Sequence, residues 1–300
     1  MAIPTIGLAL GSGVAHGWAH IGVLERLEEL GIKPDVVAGT SIGALVGGVY
    51  LAGELDTLKK WALSLSRSGM LRYFDLQFSG GGLIGGRRLA KLLNESLGDK
   101  PFEKLGKPFI AIATELATGH EIWIRRGDLV QAITASYALP GFFPPVQVDG
   151  RWLVDGALTN PVPVSVCRAL GARLVIAVNL NADFFGRSSH AARESTLTDW
   201  QSASMPVFTG DPVNAIRKRL FKGTGDTPSL FGVMVNALDI VQDRLSRSRL
   251  AGDPPDVVVA PRLGDFGLLD FEHAEAMMLR GRESVDRALP ALNQALAVLA

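Results

Sequence analysis

The chain has 300 residues, with 30 basic side chains against 30 acidic ones and a single cysteine, Cys167. A net charge of zero gives no overall field to gather nucleic acid, and one cysteine excludes an internal disulfide and any cysteine-built metal cluster. The composition, 47% hydrophobic and 20% charged, is that of a globular protein with a sizeable core, and such cysteine usage suits a reducing compartment.

The N-terminus, MAIPTIGLAL, carries no basic residue ahead of its apolar stretch, which argues against a secretory signal. Residues 5–10 read as a buried strand and lead into Gly11-Ser12-Gly13. The spacing then predicts a helix over 17–30, with Trp18, Ile21, Leu24 and Leu27 on its apolar side, stopped by Gly31. Val36–Ala38 is a second strand and 42–52 a second helix, closed by Gly53. The run from Val36 to Gly53 is the most apolar in the chain and lies near the lower length limit of a membrane span. Pro34-Asp35 ahead of a short β-branched strand, and the shortness of the helix behind it, favour a buried strand, turn and helix instead. This order opens a parallel α/β sheet.

Residues 57–68 and 86–97 read as amphipathic helices. Pro108–Glu115 and His120–Arg125 read as strands about Thr118-Gly119, and Asp128 as the cap of a helix that ends before Pro140. Asp149-Gly150 is a hairpin signal between Val146–Val148 and Trp152–Val154. Arg173–Leu180 and Asp256–Ala260 are further strands, and 271–298 is helical. Residues 183–230, rich in Ser, Gly, Thr and Asp, read as a long mobile excursion within a single domain spanning 1–300. Its basic stretch, Arg217 to Lys222 with Leu220 and Phe221 inside, suits either plain solvation or contact with an anionic membrane surface.

Two strand–helix junctions carry the chemistry. At the second, Gly39-Thr40-Ser41-Ile42-Gly43 is a G-x-S-x-G turn between a strand and a helix, the arrangement of a nucleophile elbow. Gly39 and Gly43 leave room for a sharp turn that aims the Ser41 hydroxyl out of the sheet, and the following helix N-terminus favours a developing anion. The bland alternative is a buried serine that merely caps the helix. At the first junction, the main-chain N–H groups of Gly11, Ser12 and Gly13 are placed to form an oxyanion hole. The same glycine spacing resembles a dinucleotide loop, but the second strand ends in Ala38-Gly39-Thr40-Ser41 and offers no acid to a ribose.

A base for Ser41 is less obvious. Of the histidines that follow it, His120 falls in a hairpin turn, His190 in the polar excursion and His273 in a helix. Asp155, in Leu153-Val154-Asp155-Gly156-Ala157, ends an apolar strand with small neighbours, and a partly desolvated carboxylate set against the serine hydroxyl can act as base. An ordinary Asp-Gly turn, as assumed at Asp149-Gly150, explains it about equally well from the residues alone. His16 and His20 have a helical spacing that can hold a metal, but no third ligand is evident.

Four blocks, GLALGSGVAHGWAHIGVLERLEELGI, PDVVAGTSIGALVGG, ASYALPGFFPPV and LVDGALTNPVPV, together resemble the patatin-like phospholipases. The likeness is strongest to small bacterial members of the branch that includes neuropathy target esterase. The tail DRLSRSRLAGDPPDVVVAP adds to it. This resemblance implies a three-layer α/β/α sandwich around a mostly parallel central sheet and a serine–aspartate dyad without histidine. Ser41 would be the nucleophile, Asp155 the general base, and Gly11, Ser12 and Gly13 the oxyanion loop. It implies hydrolysis of lipid acyl esters without metal. No cofactor is expected, and the residues themselves suit a cytoplasmic protein, with peripheral contact to the inner face of a membrane as the option that the basic stretch 217–222 leaves open. Two departures stand out. Ser12 replaces a customary glycine, which leaves the main-chain donor intact, and His16 stands where the family carries a basic residue, so that the loop should hold its anion less strongly at neutral pH. A protein that keeps the fold for regulation or interaction with little turnover is the alternative, and acyl transfer to an acceptor other than water shares the same intermediate.

Overall fold

In the computed structural model the described residues are 6–65, 75–76, 84–85, 87–98, 100–183 and 230–299. Nearly all of the expected excursion, including the basic stretch 217–222, and the end of the helix expected over 57–68 lie outside them. Ten strands are present among the described residues. They are β1 (Ile6–Leu10), β2 (Val36–Thr40), β3 (Asp75–Leu76), β4 (Ile84–Gly85), β5 (Phe109–Glu115), β6 (Glu121–Ile124), β7 (Val146–Val148), β8 (Arg151–Asp155), β9 (Leu174–Val178) and β10 (Val257–Val259). The helices are α1 (Trp18–Glu29), α2 (Ile42–Leu51), α3 (Leu55–Ser64), α4 (Arg87–Leu97), α5 (Leu129–Ser136), α6 (Val164–Ala169), α7 (Leu230–Gly252) and α8 (Ala274–Ala297).

Eight strands form the central sheet, in the order β10-β9-β1-β2-β5-β8-β7, with β6 also paired to β5. The strands β10, β9, β1, β2 and β5 run parallel, whereas β6, β8 and β7 are antiparallel additions. Alternation along the parallel strands sorts side chains into two cores. Leu8, Leu10, Val37 and Ile176 face α1, α2, α5 and α8, while Ala9, Ala38, Ile110 and Ala177 face α6. A sheet buried on both faces explains why these strands read as continuous apolar runs rather than alternating ones, and gives the three layers the sequence implied. Helices α1 and α8 cross closely. A Cβ on Gly22 would come within 1.9 Å of the Met278 carbonyl oxygen, and one on Gly281 within 2.1 Å of the Ala19 oxygen, so neither position admits a side chain.

The pairing about β5 positions the site. β6 pairs with β5 along Ala111–Thr114. β2 pairs with Phe109–Ile112 and β8 with Ala113–Glu115, so both occupy the opposite edge of β5, one after the other. β2 runs parallel to β5 and β8 antiparallel, which brings their C-terminal ends head to head. Thr40 lies across from Ile112, and Asp155 across from Ala113.

The Asp149-Gly150 hairpin is present, with both residues at positive φ, and Asp128 caps α5 by accepting the Gln131 N–H at 2.6 Å. The long helix α7 has no counterpart in the sequence reading. Its apolar residues do not form one stripe: Ile240 and Val241 are exposed, while Gln242, Asp243 and Ser246 are buried.

Candidate active site

Ser41 sits between β2 and α2 with φ 57° and ψ −123°, a strained backbone for a residue with a side chain. Its neighbours make the turn possible. A Cβ on Gly39 would come within 2.5 Å of the Gly43 oxygen, and one on Gly43 within 2.2 Å of the Leu10 oxygen, so the elbow closes only with glycine at both places. The strained peptide is held from the side: Ser41 N–H donates to Ser136 Oγ at 2.9 Å, and that hydroxyl donates to Ile112 O at 2.5 Å. Ser136 is fully buried at the end of α5. The sequence reading did not single it out, although it lies in the ASYALPGFFPPV block, where a serine ahead of a buried turn was the available signal.

The meeting of β2 and β8 brings Ser41 and Asp155 together. The Ser41 hydroxyl donates to Asp155 Oδ2 at 2.6 Å. The other carboxylate oxygen accepts the Ala157 N–H at 2.8 Å, in the turn that follows β8. On the main chain, Asp155 N–H donates to Ala138 O at 3.0 Å, and Thr114 Oγ1 donates to Asp155 O at 2.9 Å. The carboxylate therefore has one orientation. It is 1% exposed and Ser41 is 6% exposed. Burial pushes the Asp155 carboxyl up to about 7, against the opposing pull of the bonds from Ser41 and Ala157.

His120 and His273 are exposed, and neither has a hydrogen bond to Ser41; His190 lies outside the described residues. His16 and His20 are both buried. The His16 Nε2 lies 3.0 Å from Phe266 O and the His20 Nε2 lies 2.7 Å from Gly11 O, so the two rings serve different carbonyls. Among the described residues no group of three or more His, Cys, Asp or Glu side chains could hold a metal ion.

The glycine loop differs from the expectation. Gly11 N–H donates to Val178 O at 3.0 Å and Ser12 N–H to Pro161 O at 2.9 Å. Both therefore tie the loop to the fold and are not available to an oxyanion, which corrects two of the three expected donors. The next two N–H groups, of Gly13 and Val14, have no partner among the described residues. Val14 stands at φ 50° and lines the cleft above Ser41. The Ser12 side chain, the replacement for a customary glycine, donates to Gln242 Oε1 of α7 at 3.1 Å.

Ser41 and Asp155 lie in the wall of a cleft of about 760 Å³, open mouth included, whose lining is otherwise almost wholly apolar. Leu45, Trp61, Leu139, Phe142, Phe143 and Phe271 are among its residues. Leu139, Phe142 and Phe143 come from the stretch that follows α5, and α7 backs it, with Val235 in one apolar cluster with Leu139 and Phe142.

The geometry is thus a serine hydroxyl bonded to a buried carboxylate where the ends of two strands meet, in the wall of an apolar cleft. The model of the patatin-like phospholipase family matches residues 8–168. An uncharacterized NTE family protein of Mycobacterium tuberculosis is 33% identical over 96% of this chain and 92% of its own length. Two much longer proteins match over 59% of this chain and 13% of their own lengths. They are patatin-like phospholipase domain-containing protein 6 of Homo sapiens, 32% identical, and neuropathy target esterase sws of Drosophila melanogaster, 33% identical. The chain belongs to the patatin-like phospholipase family.

Proposed function

We propose that the protein is a serine hydrolase of lipid acyl esters that works through Ser41 and Asp155. The observation that carries this reading is the 2.6 Å bond from the Ser41 hydroxyl to a buried Asp155 carboxylate at the wall of an apolar cleft. The acyl chain of the substrate lies along the apolar lining supplied by Leu45, Leu139, Phe142 and Phe271.

In the first half-reaction Asp155 Oδ2 takes the hydroxyl proton as Ser41 Oγ bonds to the ester carbonyl carbon. A carboxyl poised near 7 can accept that proton and still release it. The carbonyl oxygen becomes anionic and receives the N–H groups of Gly13 and Val14, with the N-terminal end of α2 behind it. Collapse breaks the bond to the leaving alcohol, which takes the proton from Asp155. Water then attacks the acyl-enzyme, Asp155 accepts its proton, and the free acid leaves as Ser41 recovers its hydrogen.

Among the described residues no helix is long and apolar enough to cross a membrane. The basic stretch 217–222, with Leu220 and Phe221 inside it, supports a cytoplasmic protein that meets its substrate at an anionic membrane surface. The test is hydrolysis of p-nitrophenyl esters of graded acyl length by the wild type, Ser41→Ala, Asp155→Asn and a triple His120/His190/His273→Ala variant. Loss in the first two variants and retention in the third is the expected result. A folded wild type that neither cleaves any ester nor reacts with a fluorophosphonate would replace this reading with the alternative of a non-enzymatic partner protein.

A further inference from the structure

The peptide unit joining Gly11 to Ser12 is gripped at both poles. Its N–H donates to Pro161 O at 2.9 Å, and its carbonyl oxygen lies 2.7 Å from His20 Nε2. A carbonyl only accepts, so Nε2 carries the hydrogen and the ring is the neutral Nε2–H tautomer. His20 is fully buried on the first turn of α1, and its Nδ1 has no partner among the described residues. Burial lowers its pKa to about 4, so it stays neutral where the enzyme works. The two unpartnered N–H groups of the loop, those of Gly13 and Val14, belong to the next two peptide units. Each peptide plane is turned by the one before it through only two soft dihedrals.

We propose that His20 is a positioning residue, whose Nε2–H fixes the Gly11–Ser12 peptide and thereby aims the Gly13 and Val14 N–H groups at the oxyanion. The inference rests on the hydrolase reading above. Neither Asp155 nor Ser41 bonds to His20, so its effect passes through the loop alone. Without the imidazole, the Gly11 carbonyl is left buried with no donor, and a rotation of its peptide turns the following N–H groups away from the site.

The test compares His20→Gln with His20→Met, two side chains of similar length that differ in whether they carry an N–H donor. In His20→Met kcat falls by roughly 10- to 100-fold while KM barely moves, because a misaimed oxyanion hole weakens the transition state and not the acyl cleft. His20→Gln recovers most of that loss. Affinity for a trifluoromethyl ketone, which forms the same oxyanion on Ser41, falls in parallel with kcat/KM in His20→Met, while affinity for the product fatty acid holds. Imidazole nitrogen shifts of the wild type should report the Nε2–H tautomer from pH 5 to 8. Equal kcat in folded Met and Gln variants beside an active wild type, or an Nδ1–H or cationic ring in the wild type, overturns the role of His20. An inactive wild type overturns the hydrolase reading itself.

Discussion

Two Asp-Gly dipeptides stand six residues apart at the two ends of β8, and they have opposite fates. Asp149-Gly150 is the exposed tip of the β7–β8 hairpin, with φ 47° and 77°. Asp155-Gly156 closes the same strand in the interior, 2.6 Å from the Ser41 hydroxyl. Nothing in the dipeptide separates them. The separation comes from β5, whose edge passes from β2 to β8 between Ile112 and Ala113 and so sets one Asp against the elbow. Gly156 records that closeness, since a Cβ there would come within 2.2 Å of Ile112 O. The same amino-acid pair is a solvent turn at one end of the strand and a buried carboxylate bonded to Ser41 where two strand ends meet.

The comparison breaks most sharply in activity. Asp155→Asn or Ser41→Ala should lower kcat/KM by about a thousandfold or more, as removal of an essential base or nucleophile does, and Asp149→Asn should leave it unchanged. Ester hydrolysis by the three purified variants checks this, and equal losses in both Asp variants would erase the distinction.

Stability gives the next contrast. The folded-state pKa of Asp155 is raised from 3.8 to about 7, so folding favours its protonated form. Stability is then lost as pH rises from about 4 to about 7, and the loss is complete above that. Asp155→Asn should therefore stabilise the protein at pH 8 by on the order of a few kcal/mol, with little gain at pH 4. Denaturant melts at the two pH values decide it; a gain that does not grow with pH contradicts the burial argument. Asp149→Asn should give no such pH-dependent difference.

Ser136→Ala tests the support of the elbow rather than its chemistry. It leaves the buried Ser41 N–H without its acceptor, with an expected loss of about 1–3 kcal/mol in stability and a smaller drop in kcat than in the dyad variants. An unchanged melt would mean that the strained serine needs no such prop. The smallest effect is expected at the hairpin tip, where Gly150→Ala, forced to φ 77°, should cost about 1 kcal/mol without touching activity.

Much of this was legible in the chain. The parallel strands announced themselves as β-branched apolar runs, and the elbow as a strand, two glycines and a helix. What the sequence did not reveal was non-local. From the residues alone Asp155 looked like Asp149, and only the family resemblance set it apart; the physical reason is that β5 pairs with both β2 and β8. The glycine loop looked like three equivalent donors, but Val178 and Pro161, far along the chain, take the N–H groups of Gly11 and Ser12. Ser136 had no local signature, because its task is to join a helix end to a strand carbonyl. Helix α7 was missed because its buried positions include Gln242 and Asp243 and its exposed ones Ile240 and Val241, the reverse of an ordinary amphipathic pattern.

The central claim is that a carboxylate, and not an imidazole, activates Ser41. The most direct measurement is the pH dependence of kcat/KM for the triple His120/His190/His273→Ala variant beside the wild type. Both should share an acid limb with activity rising through about pH 7, the value to which burial pushes Asp155. A limb that disappears or moves when the three histidines are removed would contradict the account and return the base to one of them.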